Sequence, residues 1–310
     1  MPVWLSEEEV RAKLPMRELI DLMATTLAGF SSGKVEQPVR SVIEVGPHAF
    51  FASMPSYIKT IPALGAKLVT VFGSNTEKGL PTHLATILLL DPTPGALLAV
   101  MDGRYITEAR TAAVSAVSTR LLAREDASVL ALIGSGVQAR SHLEALPLVR
   151  DFHEIRCWSP TRPNLERFVA EHSHVHLAET AHEAVDGADV IALVTSSAEP
   201  VIQDGWVKPG AHLISVGACR PTQREIDPQL LARARLIVDS RAAALKESGD
   251  VVMGIAQGSF TPDHVRAELG EVLMDSSKGR INPVEVTVFK SLGLACEDVA
   301  SAEYAFRVSG

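Results

Sequence analysis

Apolar residues recur at helical spacing through residues 7–30, and beyond them the pattern shortens into runs with the length and alternation of β-strands. Ser6 and Glu9 stand at capping-box spacing, with Leu5 and Val10 as the matching hydrophobic staple, so the first helix is predicted to start at about Glu7. Strands are predicted at 37–43 and 49–54, an antiparallel pair separated by Gly46 and Pro47, and again at 65–72, 83–90 and 95–101. An Ala-rich helical period over 107–122 then marks a domain junction.

After that junction the pattern changes. Residues 129–133 are apolar without alternation and end in Gly134, which suits a strand buried on both faces of a parallel sheet. A helix is predicted to run towards Leu146, and short apolar runs recur at 154–158, 190–195, 212–217 and 236–239 with helical or looping stretches between them. Asn282-Pro283 breaks the chain, and 291–306 reads as a helix returning to the first part. The predicted fold is α/β: a Rossmann-type doubly wound parallel sheet over 121–285, and a discontinuous α+β domain over 1–120 completed by 286–310.

Composition narrows the function classes. The 310 residues, 46% hydrophobic and 21% charged, suffice for two globular domains. The net charge of -8, with Lys and Arg scattered, speaks against nucleic acid as a partner. Cys157, Cys219 and Cys296 form no CxxC and cannot all pair, which favours a reducing compartment. Glu7, Glu8 and Glu9 stand where a signal peptide would need positive charge, and no apolar run reaches membrane-spanning length. A cytoplasmic protein, with no membrane partner, is expected.

Gly134-Ser135-Gly136-Val137-Gln138-Ala139 fits G-x-G-x-x-A between a buried strand and a helix, the context that dinucleotide binding requires. There the glycines let a pyrophosphate approach the backbone and the helix N-terminus receives its charge. The next strand ends in Cys157-Trp158-Ser159-Pro160-Thr161-Arg162, which lacks the carboxylate that repels a ribose 2′-phosphate and offers Ser159, Thr161 and Arg162 in its place. Arg40, Lys67 and Arg110 lie on or beside three separate elements; spacing alone does not distinguish a shared seat for an acidic substrate from three unrelated surface charges. His172, His174 and His176 alternate as on one strand face, but with Glu171 as the sole adjacent acid no metal site is expected. Cys219 has no neighbouring His and reads as a small buried thiol rather than a nucleophile.

In order and spacing the chain resembles the ornithine cyclodeaminase/mu-crystallin family. The residues that carry the likeness are Gln37-Pro38-Val39-Arg40, Lys67-Leu68-Val69-Thr70, residues 97–103, Arg110-Thr111-Ala112-Ala113-Val114-Ser115-Ala116 and the glycine hexapeptide. It continues through residues 206–212, Ala244-Leu245-Lys246-Glu247-Ser248-Gly249-Asp250 and Thr287-Val288-Phe289-Lys290-Ser291-Leu292-Gly293. The resemblance implies a homodimer built through the first domain, which also binds substrate. It implies that Arg40, Lys67 and Arg110 line the substrate pocket, that Thr82, His83, Arg110 and Thr111 lie by the cofactor, and that Ser291 and Leu292 approach the nicotinamide. Thr195 and Val216, at strand ends, are taken as further cofactor contacts beside Gly134, Gly136, Val137 and Gln138. Mu-crystallin-like members carry Asn-Arg-Thr at the second strand and take NADPH; here Ser159-Pro160-Thr161 lacks that arginine and Arg162 stands next to it, so NADPH is expected with NADH possible.

The favoured activity is reduction of a cyclic ketimine carboxylate, such as Δ1-pyrroline-2-carboxylate or Δ1-piperideine-2-carboxylate, to proline or pipecolate. Arg40 and Arg110 would hold the carboxylate. Lys67, its ammonium destabilised by neighbouring cations, would donate the proton. Alternatives are ornithine cyclodeamination, reductive amination of an oxo acid as in the family's alanine dehydrogenases, and non-catalytic binding of a small carboxylate such as a thyroid hormone. Against deamination, Cys219 occupies the place of the deaminating members' aspartate, although Glu247 or Asp250 would be another source of a carboxylate near the substrate.

Overall fold

The computed structural model describes residues 1–47 and 49–308. Contacts divide the chain into two units, Met1–Arg110 with Gly293–Gly310, and Thr111–Leu292.

In the first unit, β1 (Val3–Leu5) leads into α1 (Glu7–Lys13), whose capping box forms as the sequence predicts: Ser6 N–H donates to Glu9 Oε2 at 2.8 Å and Ser6 Oγ accepts from Glu9 N. The single helix predicted over 7–30 is two, because Pro15 keeps Leu14 out of helical geometry (φ -121°, ψ 73°) and itself caps α2 (Met16–Ser31). There follow β2 (Val35–Glu36), β3 (Ser41–Gly46), β4 (Ala49–Ile58), β5 (Ala63–Phe72), β6 (His83–Leu90) and β7 (Leu97–Asp102). They form one sheet in the order β1-β7-β6-β5-β4-β2, with β3 also on β4 and only β1 parallel to its neighbour. The strand predicted from Gln37 starts at Ser41, since Pro38 has no N–H to give and the Gln37 side chain accepts from Cys296 N at 2.9 Å. Conversely β4 continues past Met54 through Pro55, which lies between the stretch paired with β3 and the stretch paired with β2, where no ladder bond is required of it. On β5 the alternation turns Ala63, Lys67 and Val69 to the buried side, so a lysine takes a core register. The helix Ala295–Arg307 packs on β4, β5 and β6.

The helix α3 (Arg104–Leu122) begins in the first unit and runs on into the second. Its later residues bond within the second unit, Ser115 Oγ to His142 Nε2 at 2.8 Å and Ser118 Oγ to His212 Nε2 at 3.2 Å. The division between the units therefore falls inside this helix, at residues 110/111.

The second unit is doubly wound. Its strands are β8 (Val129–Ile133), β9 (Glu154–Trp158), β10 (Val175–Leu177), β11 (Val190–Leu193), β12 (His212–Ser215), β13 (Arg235–Val238), β14 (Val265–Glu268) and β15 (Thr287–Lys290). All are parallel, in the order β10-β9-β8-β11-β12-β15-β13-β14. The order reverses between β8 and β11, the place where such sheets receive ligands at the carboxyl ends of their strands. Residues of β8, β11, β12, β13 and β15 are almost all buried, polar ones such as His212, Ser215 and Lys290 included. β15 has no counterpart among the strands predicted from the sequence; the helix predicted from Ser291 starts only at Ala295, and the residues before Ser291 form a central strand.

The three histidines do not share a strand face. The helix α5 (Arg162–Glu171) extends up to His172, which caps it, His174 lies in a turn, and only His176 is on β10. Among the described residues no group of three or more His, Cys, Asp or Glu gathers to hold a metal ion, and no helix is long and apolar enough to cross a membrane.

Candidate active site

In the first unit, Arg40, Lys67 and Arg110 come together. Lys67 Nζ lies 2.5 Å from Asp298 Oδ2; Arg110 reaches Asp298 Oδ1 through Nε at 3.2 Å and Glu297 Oε2 through Nη1 at 2.7 Å. Arg40 Nη2 donates to the Gly293 carbonyl at 3.0 Å. Glu297 and Asp298 are fully buried in the first turn of the C-terminal helix, and neither was singled out in the sequence. Acids in a first helical turn are ordinary, and nothing nearby in the chain signals that their partners are Lys67 and Arg110.

Burial sets the electrostatics. Removal from water, above all, brings the Lys67 ammonium down to about 8; Asp298 opposes the shift while Arg110 and Arg40 reinforce it. The neighbouring cations, the cause expected from the sequence, are the smaller part. Burial pushes the Asp298 carboxyl up, but Arg110 and Lys67 outweigh it and hold the group below the usual aspartate value. His83, half-buried on β6, is lowered to about 4 by burial and by Lys67 and Arg110, so it is neutral at pH 7 and close to the same cluster. Thr82 is exposed just before it, its carbonyl accepting from Phe72 N.

In the second unit the glycine loop follows β8. Gly134 has φ +115°, and a Cβ there would meet Val194 O at 2.8 Å; a Cβ on Gly136 would meet nothing within 4 Å. Gly136 caps α4 (Val137–Ala145) without any side-chain hydrogen bond, so no cap side chain takes the first-turn N–H groups. Gln138 Oε1 is buried with no partner, an acceptor suited to a hydroxyl. This cradle fits the diphosphate and ribose of a dinucleotide. Beneath it Cys157 donates to Gly134 O at 3.5 Å, and burial pushes its thiol up to about 12, which makes it structural.

At the end of β9, Ser159, Thr161 and Arg162 follow one another before and at the start of α5. Arg162 is held by Glu166 at 2.7 Å and Glu179 at 2.5 Å, with half its side chain exposed. A 2′-phosphate at this place would compete with two carboxylates for the guanidinium.

Of the remaining predicted contacts, Thr195, Ser291 and Leu292 follow strand ends and bond to acids that the residue pattern does not single out. Thr195 gives both its N–H (2.7 Å) and its hydroxyl (2.9 Å) to Glu225. Ser291 Oγ and Leu292 N both donate to Asp239 Oδ2, at 2.9 and 2.6 Å. Val216 is buried and its carbonyl accepts from the Cys219 thiol at 3.2 Å. Thr111 is buried on α3 and its carbonyl accepts from Ser115. Glu247 ends the helix Arg241–Glu247 and is half-buried. Asp250, considered as a spare carboxylate, is engaged instead by Lys290 and two backbone N–H groups.

A profile of the ornithine cyclodeaminase/mu-crystallin family matches residues 2–307. The ketimine reductase mu-crystallin of Mus musculus is 45% identical over 311 residues, spanning 98% of this chain and 96% of the relative. The solved structure of Thermococcus litoralis Δ1-pyrroline-2-carboxylate reductase, in complex with NADH and L-proline, superposes with a TM-score of 0.95 at 38% identity, covering 98% of this chain and 96% of that one. An archaeal alanine dehydrogenase dimer with bound NAD gives 0.93 at 32% identity, over 99% and 95%.

Proposed function

Because the chain belongs to the ornithine cyclodeaminase/mu-crystallin family, we propose that it is an NAD(P)H-dependent reductase of cyclic ketimine carboxylates, making proline or pipecolate from five- or six-membered rings. The observation that carries this reading is Lys67: a buried amine with a pKa of about 8, set beside two arginines and an aspartate. Such a group is an ammonium at neutral pH yet gives up its proton readily, as a general acid must. Nicotinamide, when bound, supplies the hydride.

The chain's own residues do the rest. Arg40 and Arg110 hold the ring carboxylate, Arg110 being oriented by Glu297 and Asp298. Lys67 gives the imine nitrogen a proton, which makes the adjacent carbon electron-poor enough to accept hydride. Gly134, Gly136, Val137 and Gln138 receive the dinucleotide. Thr82, His83, Thr111, Thr195, Val216, Ser291 and Leu292 shape its surroundings, with Cys219 and Glu247 towards the substrate. Ser159, Thr161 and Arg162 favour NADPH, since no carboxylate ends β9. The protein acts as a homodimer through its first unit, where β3 leaves Val42, Ile43 and Val45 exposed. Its three cysteines form no disulfide among the described residues, which suits the cytoplasm.

The test is NADPH and NADH oxidation with a panel of cyclic imines, beside ornithine and beside pyruvate with ammonia. Turnover confined to the cyclic imines is expected. Ammonia release from ornithine, or activity only with pyruvate and ammonia, would overturn the reading.

A further inference from the structure

Three charged side chains are buried together at the carboxyl ends of β11, β12 and β15. Lys290, the last residue of β15, points its Nζ at Asp250 Oδ2 (3.0 Å), Ser215 Oγ (3.0 Å) and the Ala218 carbonyl (2.7 Å). The Glu225 carboxylate accepts from Thr195 N–H and hydroxyl, Ser215 hydroxyl (3.0 Å), and the N–H groups of Gly217 (2.9 Å) and Ala218 (3.1 Å). Asp250 Oδ1 in turn accepts from the N–H groups of Glu225 (2.9 Å) and Ile226 (3.0 Å).

We propose that Lys290 is a positioning residue for the cofactor: through Glu225 and Asp250 it holds the loops after β11 and β12 in the backbone arrangement that receives the nicotinamide half. The proposal rests on the dinucleotide reading above. A parallel sheet does not need buried charges for its stability, because apolar residues fill the same volume at no desolvation cost. Here they sit at strand ends beside the reversal in strand order, where ligands enter such sheets. With the Thr195, Gly217 and Ala218 N–H groups all given to Glu225, one carboxylate fixes the backbone of both loops. Gly217 shows how closely the loops are drawn together, since a Cβ there would run into the Thr195 backbone and the Glu225 carboxylate.

The titratable neighbours of Lys290 are Asp250, Glu225 and Cys219, and although burial opposes its charge, Asp250 and Glu225 raise it above the ordinary lysine value. Burial raises Glu225 in turn, against Lys290. Without the lysine, two buried acids face each other and one takes up a proton. The experiment measures dissociation constants of NADH and NADPH by protein fluorescence from pH 6 to 9, without any substrate. Lys290→Met is expected to weaken both by about 10-fold or more, increasingly as pH rises, where the unaltered protein is flat. In Glu225→Gln, which needs no buried cation removed, hydrogen exchange at the Thr195, Gly217 and Ala218 amides is expected to quicken in the cofactor-free protein. A lysine that merely stabilises the fold would lower the melting temperature and leave affinity untouched. Unchanged, pH-independent affinity in Lys290→Met, or unchanged exchange in Glu225→Gln, overturns the proposal alone; failure of the unaltered protein to bind either nucleotide overturns the dinucleotide reading with it.

Discussion

Lys67 Nζ and Asp298 Oδ2 lie 2.5 Å apart, both buried, and the pair ties a central strand to a helix from the far end of the chain. Asp298 is what keeps Lys67 charged against its burial and against Arg110 and Arg40. In Asp298→Asn the lysine pKa falls further below its value of about 8. A proton donor works only while protonated, so the alkaline limb of the kcat/KM profile moves to lower pH. Activity at pH 8 is expected to drop by about 10-fold, or about 1.4 kcal/mol, for every pH unit that the limb moves. An unmoved limb would show that Lys67 does not titrate in that profile.

Lys67→Met removes the proton and keeps much of the side-chain volume. Turnover should fall by about 10²–10⁴-fold, with substrate KM little changed. A rise in KM with kcat preserved would make the lysine an electrostatic anchor for the carboxylate instead.

The carboxylates on Arg162 predict an unusual gain. Glu179→Gln releases one of the two acids on the guanidinium and is expected to lower KM for NADPH by up to about 5-fold, the range of an exposed ion pair, while KM for NADH stays as it was. Arg162→Ala should do the reverse. Equal changes for both nucleotides would place Arg162 away from the 2′-phosphate.

His142 and His212 are buried and neutral, lowered by burial to about 4 and about 3. An unfolded chain takes up protons at these residues below pH 6.5, whereas the folded one does so only near 4 or lower. Their contribution is therefore complete above pH 6.5 and is lost as pH falls towards 4, on the order of 3 kcal/mol for His142. Melting curves in a buffer series should show the loss, and it should shrink in His142→Gln. A melting temperature constant from pH 7 to 4.5 would contradict it.

Ile43→Asp places a charge on an exposed apolar strand position. If β3 is the dimer contact, light scattering will show the mass halved while the circular dichroism spectrum is retained. Retention of a dimer would place the interface elsewhere.

What the sequence made legible were features whose cause is local. The spans of β6, β8 and β9 follow from alternation or unbroken apolarity, and the glycine loop lies where strand and helix patterns meet. Pro15 and Pro38 carried local signals as well, outweighed in the reading by the periodicity around them. The spacing of β15 was not legible, because four residues ending in a lysine look like the approach to the helix that follows. Glu297, Asp298, Glu225 and Asp239 escaped for a different reason. An acid's burial depends on cations and amides brought to it by the fold, and the sequence around each shows only an ordinary helix start or turn. The same limit applied to Arg40, Lys67 and Arg110, whose residue types suggested an acidic ligand while their gathering came from the family likeness and then from the structure.

The placement of Glu297 and Asp298 also has a consequence for synthesis. Arg110 is separated from Asp298 by 188 positions. At about 5–20 residues per second, the ribosome needs roughly 10–40 s to cover that distance. Throughout that time Arg110 and Lys67 wait without the acids that hold them in the finished fold, and β4, β5 and β6 lack the helix that packs on them. A nascent or prematurely ended chain thus keeps its cations in water and its sheet open to chaperones and proteases. Only translation through residue 298 supplies the two carboxylates on which the buried cations depend.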